Sequence, residues 1–346
     1  MSRIPQHTVM VVHGPEIFDT GEVRWLLSVV QPARTIVAGV MAQTAAEESG
    51  LPVECPGKIP SVVLAALEGQ AFLANHGKTG ESGKIFGGIV AARLGNRGLV
   101  HLECSSRILY VWNARDSLLA QSLSKATGFS VQYESRARDM DLPVRQIRGC
   151  IPGEPVYVNG IVIGTATADT VVIRSSGNGI EPLSGLEPKP HGLEKVMRPG
   201  PVDLSRAWCK SGAIRAAGPG SGGHAPMEGS VLVIDHCGHE IYTRLRGDCC
   251  GILAIGDDTT AVCGHVCAHR GIPVLGIVDG DRDMIVPAGF ARGSVVVETT
   301  GERDDDLGAE IRQMVHSGTV RWDDWVGEML GYLQGRVKVV QDFRGI

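Results

Sequence analysis

Residues 251–283 place Asp257 and Asp258 just after one apolar run and Asp279, Asp281 and Asp283 just after the next. The stretch reads as strand, acidic turn, short helix, strand, acidic turn, and ligands of open α/β sheets bind beyond the carboxyl ends of the strands. Carboxylates gathered at such an edge repel one another unless they are solvated, protonated or bridged by a cation, and all-oxygen ligand sets suit Mg2+. Gly280 permits a sharp turn that lets Asp279 and Asp281 point one way. We therefore expect Asp257, Asp258, Asp279 and Asp281 as Mg2+ ligands, with Asp279 and Asp281 doing the chemistry. For Asp257 and Asp258 a plainer role competes, that of negative charge at a helix N-terminus.

A second set surrounds Asn75-His76-Gly77-Lys78-Thr79-Gly80-Glu81-Ser82-Gly83, which leaves an apolar strand and enters a glycine-rich helix. Backbone amides at a helix start beside a lysine favour phosphate or carboxylate, so Asn75, Gly77, Lys78, Thr79 and Ser82 are candidate ligand contacts. A P-loop would need glycine at position 72, which is Phe72. The competing role of Thr79 or Ser82 is a helix cap. His13 and Glu16, with Asp19 behind, end the first strand. If the strands of His13 and Asn75 lie near each other, the two sets share a switch point, with Glu16 as a ligand contact and His13 as the catalytic proton carrier.

Other reactive types read as packing or solvated ends. Glu103 and Cys104 end a strand, and the thiol is expected to be a small buried residue. Arg24 and Lys84 are expected in solvent. His236, Cys237, His239, Cys249, Cys250, Cys263, His265, Cys267 and His269 are dense enough for zinc or iron, but no CxxC pair occurs and Cys263 and Cys267 flank an apolar stripe. The run Glu302-Arg303-Asp304-Asp305-Asp306 reads as a solvated acidic helix cap.

The elements that must position these residues alternate. Strands over 8–13, 34–41, 71–76, 99–104, 108–112 and 130–134 are interleaved with helices over 21–30, 43–50, 59–68, 84–94 and 117–127. That alternation predicts a doubly wound, mostly parallel sheet over residues 1–137. Residues 138–200 change to short β-rich pieces with an Asn159-Gly160 hairpin signal, a small all-β module. Residues 201–346 read as a second, smaller α/β domain, Rossmann-like or Toprim-like. It opens with a short helix over 204–212 and a glycine-rich connection, then alternates strands with helices, the last of them over 307–316 and 322–334.

With 346 residues and 43% hydrophobic content, the chain can bury more than one core. A net charge of -5 with no basic run disfavours non-specific nucleic-acid binding, and scarce aromatics disfavour a base-stacking surface. No signal peptide or membrane-length apolar run is visible, so the reading is a cytoplasmic protein with reduced thiols.

The segments HGPEIFDTG, NHGKTGESGKIFG and AIGDDTTAVCGH with GIPVLGIVDGDRD resemble an archaeal family, found mainly in methanogens, catalogued as a domain of unknown function. The resemblance implies an anaerobic cytoplasm and no particular activity. Over residues 231–298, the succession VLVID, ILAIG and VLGIVDGDRD is similar to the Toprim fold, in which a DxD after the third strand holds Mg2+. That resemblance carries over to Asp279 and Asp281, whereas Asp235 stands where Toprim domains have a glutamate.

These readings converge on a protein that binds a small anionic molecule or nucleotide, with Mg2+ and phosphoryl or nucleotidyl chemistry at the acidic edge. Two other classes stay open. One is a non-enzymatic partner-binding or assembly protein, with a protein partner or a homo-oligomer. The other is a Cys/His metal or redox protein.

Overall fold

Val9–His13 form β1, a β-branched run buried on both faces. Val9 and Val11 join one apolar cluster and Met10 and Val12 another, as expected of a central strand covered by helices on each side. The protein is described by a computed structural model over residues 4, 5, 7–113, 117–135, 144–176, 179–198, 200–204, 207, 209–280, 283, 285–287, 289–316 and 318–345. The chain divides into two units, Met1–Val156 with Gly164–Ser211, and Tyr157–Ile163 with Gly212–Ile346.

In the first unit β1 is followed by α1 (Glu16–Asp19), α2 (Glu22–Val30), β2 (Arg34–Ala38), α3 (Val40–Ser49), α4 (Pro60–Ala66), β3 (Ala71–Asn75) and α5 (Gly80–Arg93). Then come β4 (Leu99–Glu103), β5 (Ile108–Trp112), α6 (Ser117–Thr127) and β6 (Ser130–Glu134). The sheet order is β2-β1-β3-β4-β5-β6, parallel except for β4 against β5. Strand order reverses between β1 and β3, where His13 and Asn75 are register partners. The switch point expected from the sequence is therefore formed by those two residues.

Helix α5 begins at Gly80, four residues ahead of the expected Lys84, because Thr79 and Ser82 cap it reciprocally. Its glycines let it approach the sheet closely. A Cβ on Gly83 would lie 1.9 Å from Glu103 Oε2, and one on Gly87 2.1 Å from His101 Nδ1. Both β4 side chains are fully buried under that glycine face.

The β-rich stretch supplies β7 (Val144–Arg148), β8 (Pro155–Val158), β9 (Ile161–Ala166), β10 (Thr170–Ser176), β11 (Gly179–Ser184) and β12 (Leu186–Pro188). Asn159 and Gly160 turn between β8 and β9 at φ 51° and 86°, the positive values a type I′ hairpin needs. Next are α7 (Pro190–Met197) and β13 (Cys209–Ser211). The helix expected over 204–212 does not form in its described residues. Leu204 and Ala207 are buried by irregular chain, and Cys209–Ser211 is extended.

The second unit contains β14 (Glu228–Asp235), α8 (Ile241–Arg244), β15 (Cys249–Ile255), α9 (Asp257–Ala268), β16 (Val274–Val278) and β17 (Val295–Thr299). It ends with α10 (Asp304–Met314), β18 (Val320–Arg321), α11 (Trp322–Tyr332) and β19 (Val337–Asp342). The sheet order is β18-β14-β15-β16-β17-β19, with four parallel strands in chain order between antiparallel edges. Every residue of β15 and β16 is buried. Among the described residues no helix is long and apolar enough to cross a membrane.

Candidate functional site

The carboxyl edge of the first sheet gathers the predicted residues, but several turn inward. His13 Nδ1 donates to Ala38 O at 2.8 Å, and its ring stacks on Phe86 at 4.4 Å. Burial lowers its pKa to about 4. The imidazole is therefore neutral near pH 7, with its lone pair on Nε2. Asn75 is buried and its Oδ1 meets His101 Nε2. Gly77 N–H donates to Glu103 Oε1 at 3.1 Å. Thr79 and Ser82 spend their hydroxyls on the cap. Glu103 also holds Ser105, accepting from its amide at 2.9 Å and its hydroxyl at 2.6 Å. Burial raises the pKa of the Glu103 carboxyl. Of the predicted ligand contacts, Lys78 and Glu16 remain as charged groups on the edge.

Around those two the structure adds residues that sequence reading missed. Lys78 Nζ pairs with Glu154 and donates to Ser211 Oγ at 3.0 Å. Lys210, half-buried on β13, interacts electrostatically with Glu16, Lys78 and Glu154. Burial lowers its pKa, with Lys78 adding repulsion and the two glutamates opposing. Burial raises the pKa of Glu16, against the pull of Lys210. Two ammonium groups and two carboxylates thus alternate beside a neutral histidine. Lys210 and Ser211 were concealed because their segment read as a helix. Lys84, expected in solvent, pairs with Glu134 at 2.7 Å and lies over Tyr110.

A pocket of about 360 Å³ opens on the other face of the same edge, lined by Glu22, Trp25, His76, Cys104, Ser105, Arg107 and Phe129. His76 Nδ1 donates to Glu22 Oε2 at 2.7 Å. Trp25 and Phe129 stack at 5.7 Å. Cys104 is 3% exposed, and burial pushes its thiol pKa far up, so it acts as the small apolar residue expected.

In the second unit Asp257 and Asp279 do meet. Asp257 Oδ2 accepts the backbone amides of Asp279 at 2.9 Å and Gly280 at 3.2 Å, so the first acidic turn fixes the second. Asp258 Oδ1 accepts the Asp283 amide at 3.3 Å. Asp281 lies outside the described residues. The third member is Asp304, which is 1% exposed where the sequence suggested a solvated cap. Helix α10 begins at this residue and turns it inward, so that ligand oxygens of Asp257, Asp279 and Asp304 fall within 4.8 Å of one another.

Asp304 belongs to a second group with His236 and Asp305. His236, at φ 51°, donates from Nδ1 to Asp235 Oδ1 at 2.7 Å, and its Nε2 lies 3.5 Å from Asp305. The hydrogen bond to His236 holds the Asp235 carboxyl below the usual range. Asp235 ends β14 where the Toprim resemblance asks for glutamate, and it is turned to the histidine. Among the described residues, neither potential metal group contains a cysteine. Cys249, Cys250, Cys263 and Cys267 are buried, with thiol pKa values raised by burial at Cys249, Cys250 and Cys263.

Fold and site define a two-unit α/β protein whose polar and charged groups collect at the carboxyl ends of parallel strands. Within that class the chain belongs to a family described as uncharacterized protein conserved in archaea (DUF2117), whose model matches residues 10–319. A protein of Methanocaldococcus jannaschii, described as uncharacterized protein MJ0065, is 30% identical over 329 residues, covering 86% of this chain and 88% of that protein. No solved structure matches the chain.

Proposed function

We propose that the protein binds a phosphate- or carboxylate-bearing small molecule, holds Mg2+ at the acidic edge of its second unit, and serves phosphoryl or nucleotidyl chemistry. The reading rests on Asp257, Asp279 and Asp304, whose ligand oxygens crowd within 4.8 Å while Asp257 and Asp304 are buried. Two unit charges about 4 Å apart repel by about 4 kcal/mol at an effective dielectric of 20, so three carboxylates call for a proton or a divalent cation. A hard cation with oxygen ligands is the fitting partner. Mg2+ keeps several waters when bound to few carboxylates, leaving positions for phosphate oxygens.

In the first unit, Lys78 and Lys210 suit an anionic group, which would replace Glu154 on Lys78. Glu16 sets the charge around Lys210, and His13, held neutral by burial with a pKa of about 4, presents Nε2 as a hydrogen-bond acceptor. Calorimetry with ATP, with and without Mg2+, tests this reading. Saturable binding that is strengthened by Mg2+ and weakened by Asp279→Asn is expected. No binding to the wild type, or binding indifferent to Mg2+ and to that substitution, would sink it.

A further inference from the structure

The pocket of Glu22, Trp25, His76, Ser105, Arg107 and Phe129 is not used by that reading, and it lies on the opposite face of the sheet from His13. Its volume of about 360 Å³ is in the range of small-molecule sites. One wall is aromatic, with Trp25 stacked on Phe129 at 5.7 Å. The guanidinium of Arg107 lies 5.8 Å from the Phe129 centroid.

Arg107 itself is an outlier. It ends the four-residue turn from β4 to β5, its amide donating to Cys104 O at 3.2 Å, with φ at 56°. That left-handed position ordinarily takes glycine or asparagine, so an arginine there is held under strain. Packing does not explain the choice, since Arg107 is exposed. Neither does an ion pair, since among the described residues no carboxylate pairs with it. The neighbouring Glu22 carboxylate is engaged by His76 at 2.7 Å. Beside a π-rich wall the pocket therefore presents a guanidinium without an ion-pair partner among the described residues, with the Glu22 carboxylate turned to His76.

We propose that this pocket binds a nucleoside monophosphate, its base against Trp25 and its phosphate on Arg107. Guanidinium recognises phosphate through paired donors, and an aromatic wall stacks any base. His76, whose Nδ1 donates to Glu22, presents Nε2 to accept from a ribose hydroxyl. The proposal stands apart from the Lys78 and Mg2+ sites.

The test is calorimetry of the full chain without metal, using AMP, adenosine and ribose 5-phosphate as probes. AMP should bind saturably, with each fragment weaker by about tenfold or more, the size expected from losing one charged or stacking contact. Arg107→Gln should weaken AMP by about tenfold, while Arg34→Gln, at an exposed ion pair with Glu54, leaves it unchanged. Arg107→Gly removes the backbone strain along with the cation, so it should raise the unfolding temperature and still lose AMP. Absence of AMP binding, equal affinity for adenosine, or unchanged affinity in Arg107→Gln would overturn the proposal. Loss of AMP in Lys78→Gln alone would assign the nucleotide to the lysine edge instead.

Discussion

The Asp257 carboxylate is hydrogen-bonded to the backbone of Asp279, 2.9 Å from its amide, so the residue that opens α9 also shapes the turn after β16. One oxygen does this while the group stays within 4.8 Å of the ligand oxygens of Asp279 and Asp304. Structure and metal binding can therefore be separated by substitution. Asp257→Asn keeps an acceptor for the turn and should fold with little loss of stability. Asp257→Ala leaves two amides without their acceptor and should cost about 1–3 kcal/mol. Denaturant unfolding of both variants checks the difference, and equal stabilities would show that the turn does not depend on this carboxylate.

The approach of α5 to β4 predicts intolerance at Gly83 and Gly87. An added methyl would fall 1.9 Å from Glu103 Oε2 or 2.1 Å from His101 Nδ1, so Gly83→Ala or Gly87→Ala forces the helix off the sheet. Overpacking of this kind costs about 1–3 kcal/mol. Gly95→Ala is a poor control because its φ is positive. Gly331→Ala in α11, where nothing lies within 4 Å, is a good one and should be neutral or stabilising.

Two histidines should stay neutral in mild acid. Burial lowers His13 to about 4 and His101 to about 3. Because these folded values lie below the unfolded value of about 6.5, their contribution is full above pH 6.5 and is lost as pH falls toward about 4 for His13 and about 3 for His101. The raised carboxyl pKa values of Glu16 and Glu103 act in the opposite sense, lost as pH rises through their folded values. Net stability alone would blur the two, so the check is NMR titration of the imidazole carbons. Neither His13 nor His101 should shift between pH 7 and 5, and a midpoint near 6.5 for either would contradict the packing described.

Lys78 holds Glu154 and Ser211 from an exposed position. Lys78→Gln should change stability by less than about 1 kcal/mol, as is usual for exposed ion pairs. It should weaken binding of a phosphate-bearing ligand at the first edge by about tenfold. Calorimetry with inorganic phosphate on folded Lys78→Gln tests the role at that edge alone, and an unchanged affinity would remove Lys78 from it.

The residues that set β1 to β6 were readable because their apolar runs are short, β-rich and separated by helical periods. His13 and Asn75 were readable as a pair for the same reason, since each ends a strand of that series. Lys210 was not, because Leu204 and Ala207 have a spacing that suits a helix face yet are buried by irregular chain. Asp304 was hidden by its setting, since an acidic run before a helix ordinarily faces water. Asn75, Gly77, Thr79 and Ser82 carried a true signal of a polar turn. Sequence does not say that Glu103 and His101 rise under the glycines of α5 and claim part of that polarity. The pocket at Trp25 was masked by the low aromatic content of the whole chain, which says nothing of where two rings meet.

The most direct test of the proposed function is titration of Mg2+ into EDTA-treated protein by calorimetry, alongside Asp279→Asn and Asp304→Asn. The wild type should show one saturable site. Both variants should unfold at nearly the wild-type temperature and lose affinity for Mg2+ by about tenfold or more, since each removes a charged ligand. No saturable heat in the wild type, or the same affinity in both variants, would contradict a metal centre at Asp257, Asp279 and Asp304.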